Sequence, residues 1–372
     1  MRTVPVLDVP PADVIDGVVT GVTSAAAIAV ARSAMAYGSV RLFTDRVLAV
    51  APNHPLEPQS AVIQICQQLK GLPLALELAA AHARLLPLDD LARHLHQEVA
   101  MFDRARRGPD RHRTLESALN LSHDRLSESE QELFAELSVF RGGFTLGAVE
   151  AMFPSRDESV VEVLSGLVDK SLVLLEGRAG TMRYRLLETT RDYASRRLAE
   201  SGRAAEAYAA HLDWFTRHAR SIESELEGPL QDKWLDALAL EHDNFRAALD
   251  WAARSGDVEQ VATSALALNR FWEVRGYLTE GRAWLELAAG GAVDKPALAA
   301  KCHNAAGVLA HHKCDYVAAR QFHRAAAGVF EHLGDRRGLA AATNGLANID
   351  VSEGDLASAQ ERYESVIAFA GS

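Results

Sequence analysis

The spacing of apolar residues predicts helices along most of the chain. In "SVRLFTDRVLAVA" the apolar residues fall on one helical face, and "QSAVIQICQQL" repeats that spacing. The two faces are formed by Val40, Phe43, Val47 and Leu48, and by Val62, Ile65, Cys66 and Leu69. A further segment, "LDDLARHLHQ", opens with two aspartates, which suit a helix N-terminus. These patterns predict an all-helical bundle over residues 39–103.

The segment "CQQLKGLPLALELAAAHARLLP" breaks this helical pattern at a Gly-Leu-Pro-Leu turn. Proline is tolerated in the first turn of a helix and costs about 3 kcal/mol in a helix interior. We therefore expect Gly71 to end one helix and Pro73 to start the next. From these residues alone, a corner between two helices is favoured over an elbow that faces a ligand.

The first residues predict an element that cannot stand alone. "TVPVLDVPP" has the composition of a short apolar strand ended by prolines, and a lone strand leaves its edge groups unpaired. We assign residues 1–38 to a remnant linker and strand.

Residues 104–203 carry the pattern of a winged helix. "SESEQELFAELSVF" begins with a capping box, in which Ser127 is followed three residues later by Glu130, and Thr145 caps the next helix. "SLVLLEGRAGTMRYRLLE" alternates as two short strands joined by a glycine-containing loop. Helices followed by such a hairpin, and then by the helix "TRDYASRRLAES", are typical of a winged helix.

Residues 204–372 predict a helical repeat array. "GYLTEGRAWLELAA", "DYVAARQFHRAAAG" and "DLASAQERYESVIA" align with bulky residues in one register and small residues in another. The two registers are Leu278, Tyr316 and Leu356, and Gly281, Ala319 and Ala359. Small residues let two helices approach closely, as in tetratricopeptide-like hairpins. The predicted fold class is therefore mainly α: a helical bundle, a winged-helix domain with a short β-hairpin, and an α-solenoid.

Composition narrows the function classes. The net charge of −11 argues against a surface that is basic overall, and three widely spaced cysteines fit a reducing compartment. The uncharged run "GVVTGVTSAAAIAVA" is too short to span a bilayer, and the N-terminus lacks the pattern of a signal peptide. We expect a cytoplasmic protein with no membrane contact.

The residues that could carry chemistry are few. Phosphate-binding, dinucleotide, zinc-protease and serine-hydrolase motifs are absent from the sequence, so we expect no enzyme activity and no catalytic residues. His311, His312, Cys314 and His323 have metal-ligand side chains at irregular spacing. We interpret them as a loop cysteine with solvated histidines, and we expect no metal site.

DNA binding is the main alternative function for the winged helix. Its recognition helix would lie in "SVVEVLSGLVDKSL", with Glu158 and Glu162 at its start and Lys170 near its end, which suits a phosphate backbone poorly. The stretch "RARRGPDRHR" is interpreted as a solvated linker, although its arginines are candidate DNA contacts. These candidates are Arg104, Arg106, Arg107, Arg111 and Arg113.

Several motifs in order resemble one bacterial family. "GLPLALELAAAHARLL", "RHRTLESALNLSHDRLSESEQELFAELSVFRGGF", "GLVDKSLV", "YRLLETTRDYA" and "LEHDNFRAALDWA" resemble STAND-type signal-transduction ATPases of the NB-ARC kind, including LuxR-type and AfsR-like regulators of actinobacteria. The resemblance implies a P-loop ATPase domain, a helical ARC-like domain, a winged helix and tetratricopeptide-like sensor repeats. It also implies nucleotide-dependent self-association.

The resemblance implies that one turn of this chain lies beside a bound nucleotide. Gly71, Leu72, Pro73 and Leu74 match the turn whose proline contacts adenine, whereas Leu186, Leu187 and Glu188 stand where the family has Met-His-Asp. A leucine there cannot donate a hydrogen bond to a β-phosphate. Because the Walker A and Walker B motifs are missing, we expect a partial copy of such a regulator, with residues 1–38 following a missing ATPase domain. ATP or ADP would bind only with a partner P-loop domain, and no other cofactor is expected.

Three hypotheses follow. The leading one is a regulatory module that binds a protein partner or ligand on its helical repeats. The second is a transcriptional regulator that binds DNA through the winged helix and the arginines of residues 104–113. The third is a residual ATP or ADP switch completed in trans.

Overall fold

The computed structural model describes residues 6–11, 34–56, 59–105, 110–153, 158–178 and 181–370. These residues fall into two compact units. The first lies within residues 1–138 and 145–204, and the second within residues 139–144 and 205–372. The predicted boundaries at residues 39, 104 and 204 stay predictions.

The first unit contains nine α-helices and one hairpin among the described residues. They are α1 (Gly38–Val50), α2 (Gln59–Gln68), α3 (Pro73–Ala81), α4 (Leu88–Ala105), α5 (Asp110–His123), α6 (Glu128–Glu136), α7 (Leu146–Met152), α8 (Val160–Asp169), β1 (Leu174–Arg178), β2 (Thr181–Arg185) and α9 (Glu188–Glu200). Short 3-10 turns at His82–Arg84 and Leu137–Val139 follow α3 and α6.

The apolar faces of α1 and α2 form the core of the predicted bundle. All four residues predicted for α2 are buried, as are Val40, Phe43 and Val47 in α1. Leu48 is the exception, because 38% of it stays exposed, so its predicted place on the buried face is wrong. Helix α4 begins with Asp89 and Asp90 in its first turn, as the sequence predicts.

The capping and hairpin predictions for the winged helix are confirmed. The Ser127 hydroxyl accepts from the Glu130 amide at 3.2 Å, and the Glu130 carboxylate accepts from the Ser127 amide at 2.9 Å. Thr145 caps α7 through the Ala148 amide at 3.2 Å. Strands β1 and β2 pair antiparallel, with Leu174 opposite Arg185.

The second unit contains nine α-helices among the described residues, together with residues 139–144. Its helices are α10 (Ala204–Ile222), α11 (Gln231–Leu240), α12 (His242–Ser255), α13 (Val258–Arg275), α14 (Leu278–Gly291), α15 (Pro296–His312), α16 (Tyr316–Leu333), α17 (Arg336–Glu353) and α18 (Leu356–Ala370). A 3-10 turn at Glu223–Glu227 follows α10.

The repeat register predicted from the sequence is confirmed. Leu278, Tyr316 and Leu356 each begin a helix, and the small residues Gly281, Ala319 and Ala359 are buried where helices meet. A Cβ added at Gly281 would lie 2.5 Å from Trp272 Cε3, so only glycine allows α13 and α14 to pack this closely. Helices α13, α15 and α17 lie side by side, because α15 packs against both of the others.

Aspartates cap the helices at four turns of the array. Asp257, Asp315, Asp335 and Asp355 accept from the backbone amide three residues ahead, at 2.9–3.2 Å. The residue before three of them is a left-handed glycine, and Cys314 takes the same conformation (φ 60°) before Asp315. This recurrent Gly-Asp signal was available in the sequence and was missed.

Candidate functional site

The Gly-Leu-Pro-Leu turn breaks the helix as predicted. Lys70 and Gly71 are both left-handed, with φ of 51° and 65°, and Leu72 is the N-cap of α3, which starts at Pro73. The Gly71 amide donates to the Cys66 carbonyl at 3.2 Å, which closes the end of α2. Leu72, Pro73 and Leu74 are half-buried.

Residues 7–10 of the same chain lie against this turn. The Leu7 amide donates to the Gly71 carbonyl at 3.0 Å, and Gln67 Nε2 donates to the Pro10 carbonyl at 2.8 Å. A Cβ at Gly71 would lie 2.2 Å from the Leu7 carbonyl oxygen and 2.8 Å from Val9 Cγ2. The left-handed backbone and this close approach together explain the glycine without a ligand.

The same contacts correct the prediction of a strand at the N-terminus. The described part of the segment, residues 6–11, forms no strand and follows the surface of the bundle. Asp8 holds it at the start of α1, because its carboxylate accepts from the Gly38 amide at 2.7 Å and its carbonyl accepts from the Ser39 hydroxyl at 2.6 Å. The backbone groups that a strand would pair within a sheet are instead hydrogen-bonded to the Gly71 turn and to the start of α1. Residues 1–5 and 12–33 lie outside the described residues.

Of the five arginines proposed as DNA contacts, three lie in described helices. Arg104 lies in the last turn of α4, and Arg111 and Arg113 lie in the first turn of α5. Arg106 and Arg107 lie outside the described residues. The linker predicted over residues 104–113 is therefore shorter than expected, because helices extend to Ala105 and begin again at Asp110. The role of these arginines stays a prediction.

Helix α8 occupies the position of a recognition helix, and its exposed side is acidic. Val163, Leu164 and Leu167 face the core, whereas Val161, Glu162, Ser165 and Asp169 are exposed. No lysine or arginine occurs in its sequence, "VVEVLSGLVD". Arg84 approaches Asp169 at 3.4 Å, but both side chains are more than half exposed, so this pair contributes little.

The lysine that follows α8 is engaged with the capping box. Lys170 Nζ lies 2.5 Å from Glu130 Oε1, while the other oxygen of that carboxylate holds the Ser127 amide. A Cβ at Gly166 would lie 2.2 Å from the same Glu130 oxygen, so glycine leaves room for this carboxylate against α8. Lys170 therefore supports the packing of α6 on α8 rather than presenting a free charge.

The outer face of the wing is apolar. Leu175 and Met182 are 45% and 53% exposed, and register places both on the face that also carries Tyr184. On the opposite face, the Glu176 carboxylate pairs with Arg185 across the hairpin. Exposed apolar side chains in the wing suit contact with protein better than contact with a phosphate backbone.

The segment that the resemblance aligns with Met-His-Asp lies at the start of α9. Leu186 and Leu187 are half-buried, Leu187 is the N-cap of α9, and Glu188 is exposed. Farther along α9, the Tyr193 hydroxyl donates to Asn120 Oδ1 at 2.6 Å, and Arg197 donates to the same oxygen at 3.0 Å. This network ties α9 to α5.

The histidines grouped in the sequence have different partners, although the rings of His311 and His312 lie 5.7 Å apart. His311 Nε2 lies 2.9 Å from the Ser352 hydroxyl, and His312 Nε2 lies 2.9 Å from a Glu273 carboxylate oxygen. Cys314 is exposed, whereas His323 is buried with 1% exposure, so its interpretation as solvated is wrong. Within the described ranges, no group of three or more histidine, cysteine or acidic side chains could hold a metal ion.

His323 is buried because two glycines make room for its ring. A Cβ at Gly307 in α15 would lie 2.7 Å from the imidazole, and a Cβ at Gly345 in α17 would lie 2.4 Å from it. His323 Nδ1 lies 2.8 Å from Asn304 Oδ1 and donates to it. Burial, and secondarily the nearby His311, lower the pKa of His323 to about 4, so the ring is neutral at pH 7.

A groove of about 450 Å³ lies along α13, α15 and α17. Its polar lining was missed in the sequence, since asparagines and a lysine on alanine-rich helices resemble ordinary surface residues. The lining residues that bear on function are Asn269, Lys301, Asn304, Val308, Arg337 and Ala341. Among the described helices, none is both long enough and apolar enough to cross a membrane.

The comparisons with known proteins identify the middle of the chain. The family model described as "Winged helix-turn-helix domain" matches residues 126–199, the stretch from the end of α5 to α9. Residues 126–199 form a winged helix-turn-helix domain. This match covers 74 of the 372 residues of the chain.

Relatives extend the similarity beyond this domain. Proteins of Mycobacterium tuberculosis and Mycobacterium bovis, each named "Putative HTH-type transcriptional regulator", are 37% identical over 252 residues, which is 66% of this chain and 28% of theirs. The chain thus spans little more than a quarter of the length of these curated relatives. An "Uncharacterized protein" of Mycobacterium tuberculosis is 33% identical over 180 residues, covering 46% of each chain.

One solved structure is similar over much of the chain at a low score. It is a Signal Transduction ATPase with Numerous Domains (STAND) protein with a tetratricopeptide repeat sensor from Pyrococcus horikoshii. The alignment covers 90% of this chain and 54% of that chain, at 12% identity and a TM-score of 0.34.

Proposed function

We propose that this chain is a regulatory module of a STAND-type transcriptional regulator, and that it acts through protein contacts rather than by reading DNA itself. The similarity to relatives named as regulators and the winged helix-turn-helix domain support the regulatory part. The acidic exposed side of α8 is the observation that carries the choice of protein over DNA. In winged helices that bind DNA, this helix enters the major groove between two rows of phosphates.

The charges of α8 are the reason for favouring protein contacts over DNA binding. Duplex DNA carries a negative charge about every 1.7 Å along its axis, and non-specific affinity comes from cations that neutralise phosphates. Helix α8 offers Glu162 and Asp169 on its exposed side, and Lys170 is paired with Glu130. Docking α8 on DNA would therefore add repulsion where binding needs attraction.

Fluorescence anisotropy with a labelled 30-base-pair duplex tests this proposal at low and moderate salt. We expect no saturable binding by the wild-type chain. We expect weak, salt-dependent binding by the double variant Glu162→Lys with Asp169→Lys, since the charge reversal removes the repulsion. A variant with Glu331→Lys and Glu361→Lys, two exposed positions in α16 and α18, changes the net charge equally and should not bind.

Saturable binding by the wild type would overturn the proposal. If that binding weakened with salt and disappeared when Arg104, Arg106 and Arg107 were changed to alanine, the function would be DNA binding through this arginine cluster. If it disappeared only on substitution of exposed residues in α8, the winged helix would itself be the DNA-binding element.

The proposal includes no ATPase activity and no nucleotide binding by this chain alone. This part of the proposal is supported by the contacts that residues 7–10 make with the turn at Gly71, where the resemblance would place the nucleotide. Calorimetric titration of the monodisperse chain with ADP and with Mg-ATP should give no saturable heat. Saturable binding that is lost in Pro73→Ala, and kept in the control Pro87→Ala at the exposed start of α4, would instead make the turn an adenine site. Binding restored by a separate P-loop domain would support a switch completed in trans.

A further inference from the structure

The groove along α13, α15 and α17 has the size and lining of a binding site. Its volume of about 450 Å³ falls within the range of ligand sites in proteins. Ala305, Val308 and Ala341 contribute small apolar side chains, and the polar groups come from three successive helices of one face. A chain laid in this groove would contact all three helices.

Two asparagines in the groove have unused hydrogen-bonding groups. Asn269 Oδ1 is buried and has no hydrogen-bond partner among the described residues. Asn304 uses Oδ1 to accept from His323, which fixes its side chain and leaves the amide NH₂ available. Asn304 therefore offers N–H donors that match the C=O groups of an extended peptide backbone, and Asn269 adds an unsatisfied acceptor in the same wall of the groove.

The charged groups of the groove favour an acidic ligand. Lys301 and Arg337 are exposed, and neither forms an ion pair with a described residue. The acidic residue in the lining, Asp335, already accepts from the Gly338 amide at 2.9 Å as the cap of α17. Because the chain carries a net charge of −11, two unpaired cations in one groove form a local positive site on an acidic protein.

We propose that this groove binds an extended acidic peptide segment of a partner protein. Asn269 and Asn304 hold the peptide backbone, Lys301 and Arg337 pair with its carboxylates, and Val308 contacts an apolar side chain. This inference rests on the proposed function, since it names the partner chemistry for protein contact. A nucleic acid is disfavoured because Phe330, the aromatic residue in the lining, is 2% exposed and offers no stacking surface.

Fluorescence anisotropy with a defined peptide pool tests the proposal on the full chain. The pool consists of fluorescein-labelled octapeptides, acetylated and amidated, in which aspartate or glutamate alternates with an equal mixture of alanine, valine, leucine and phenylalanine. In the matched neutral pool, asparagine or glutamine replaces each acid. We expect the acidic pool to bind at least about tenfold more tightly than the neutral pool.

Variants of the groove assign the binding to it. Lys301→Glu with Arg337→Glu should weaken binding of the acidic pool by at least about tenfold, and Asn269→Ala should weaken it about fivefold. Arg324→Glu is the control for a single charge reversal outside the groove, because Arg324 is an exposed cation of α16 that does not line it, and it should leave binding unchanged. Thermal unfolding of each variant verifies that the surface substitutions leave the fold intact.

Three outcomes would overturn the inference. They are no binding of the acidic pool, equal loss in Arg324→Glu and in the groove variants, and tighter binding of a 20-nucleotide single-stranded DNA that depends on the same residues. Neither of the first two outcomes would change the result of the duplex-DNA experiment above. The peptide inference can therefore be wrong while the proposal of regulation through protein contacts stands. Duplex binding through α8 would instead overturn the proposed function.

Discussion

Lowering the pH from 7 to 5 is expected to destabilise the helical repeats, because His323 is buried in its neutral form. The ring lies between Gly307 and Gly345, its Nδ1 donates to Asn304, and only 1% of the residue is exposed to the water that would solvate a charged imidazolium. In the unfolded chain the same side chain is free to accept a proton. Protonation therefore favours the unfolded state.

The magnitude follows from the two pKa values. Burial first, and His311 second, lower the pKa of His323 from 6.5 to about 4. Stability from this residue is fully present above pH 6.5 and is lost as the pH falls from 6.5 toward 4, because only the unfolded state binds a proton in that window. At pH 5 the loss is about 2 kcal/mol relative to pH 7.

The assay compares urea unfolding at pH 7 and pH 5, followed by tryptophan fluorescence. Trp272, which is buried in α13, reports on the repeats. His82 is also buried, and burial lowers its pKa to about 4. The pH dependence of the wild type therefore cannot be assigned to His323 without a variant. His323→Gln keeps a donor for Asn304 and removes the titration, so its loss of stability on acidification should be smaller than that of the wild type by about 2 kcal/mol.

The control is His332→Gln, which changes an exposed residue of the same helix and should leave the pH dependence of the wild type unchanged. An identical pH dependence in His323→Gln and in the wild type would refute the reasoning, even if the variant were less stable at both pH values.

Three further substitutions test the packing. Gly71→Ala should lower the free energy of unfolding by about 1–2 kcal/mol, because φ is 65°, and should speed hydrogen exchange at the Leu7 amide; unchanged exchange would contradict the contact with residues 7–10. Cys314→Gly should raise stability by about 0.5–1 kcal/mol in thermal unfolding, since φ is 60°, and a lower melting temperature would be evidence against this strain. Asp350→Ala should cost about 2–3 kcal/mol in urea unfolding, because Arg320 and Arg362 each lose a contact of 2.7 Å with a carboxylate that is 3% exposed; Asp350→Asn should cost less.

The features predicted correctly from the sequence are those with local causes. Three examples are the capping box at Ser127, the break at Pro73 and the hairpin after α8. Each depends on residues within a few positions of one another, so the local sequence is enough to predict it. The repeat register was also readable, because a buried glycine or alanine recurs at the same place in each helix pair.

The errors came from partners that lie far away in the chain. Residues 6–11 look like a strand, but their hydrogen bonds go to Gly71 and Ser39, which nothing in the segment reveals. His323 looks solvated until Gly307 and Gly345 are seen on either side of its ring. The polar groove was missed for the same reason, since Asn269, Asn304 and Arg337 become neighbours only when three helices pack together.

The capped turns of the array have a mechanical consequence. Because the aspartate caps at four turns each act within their own turn, a helix pair at the end of the array can detach without disturbing the caps of the others. Force applied to α18 should therefore extend the array in steps, one helix pair at a time. Detaching the pair α17–α18 would have to break the ion pairs that Arg320 in α16 makes with Asp350 and Glu353 in α17, whereas the pair between Arg362 and Asp350 lies within the hairpin and holds it together.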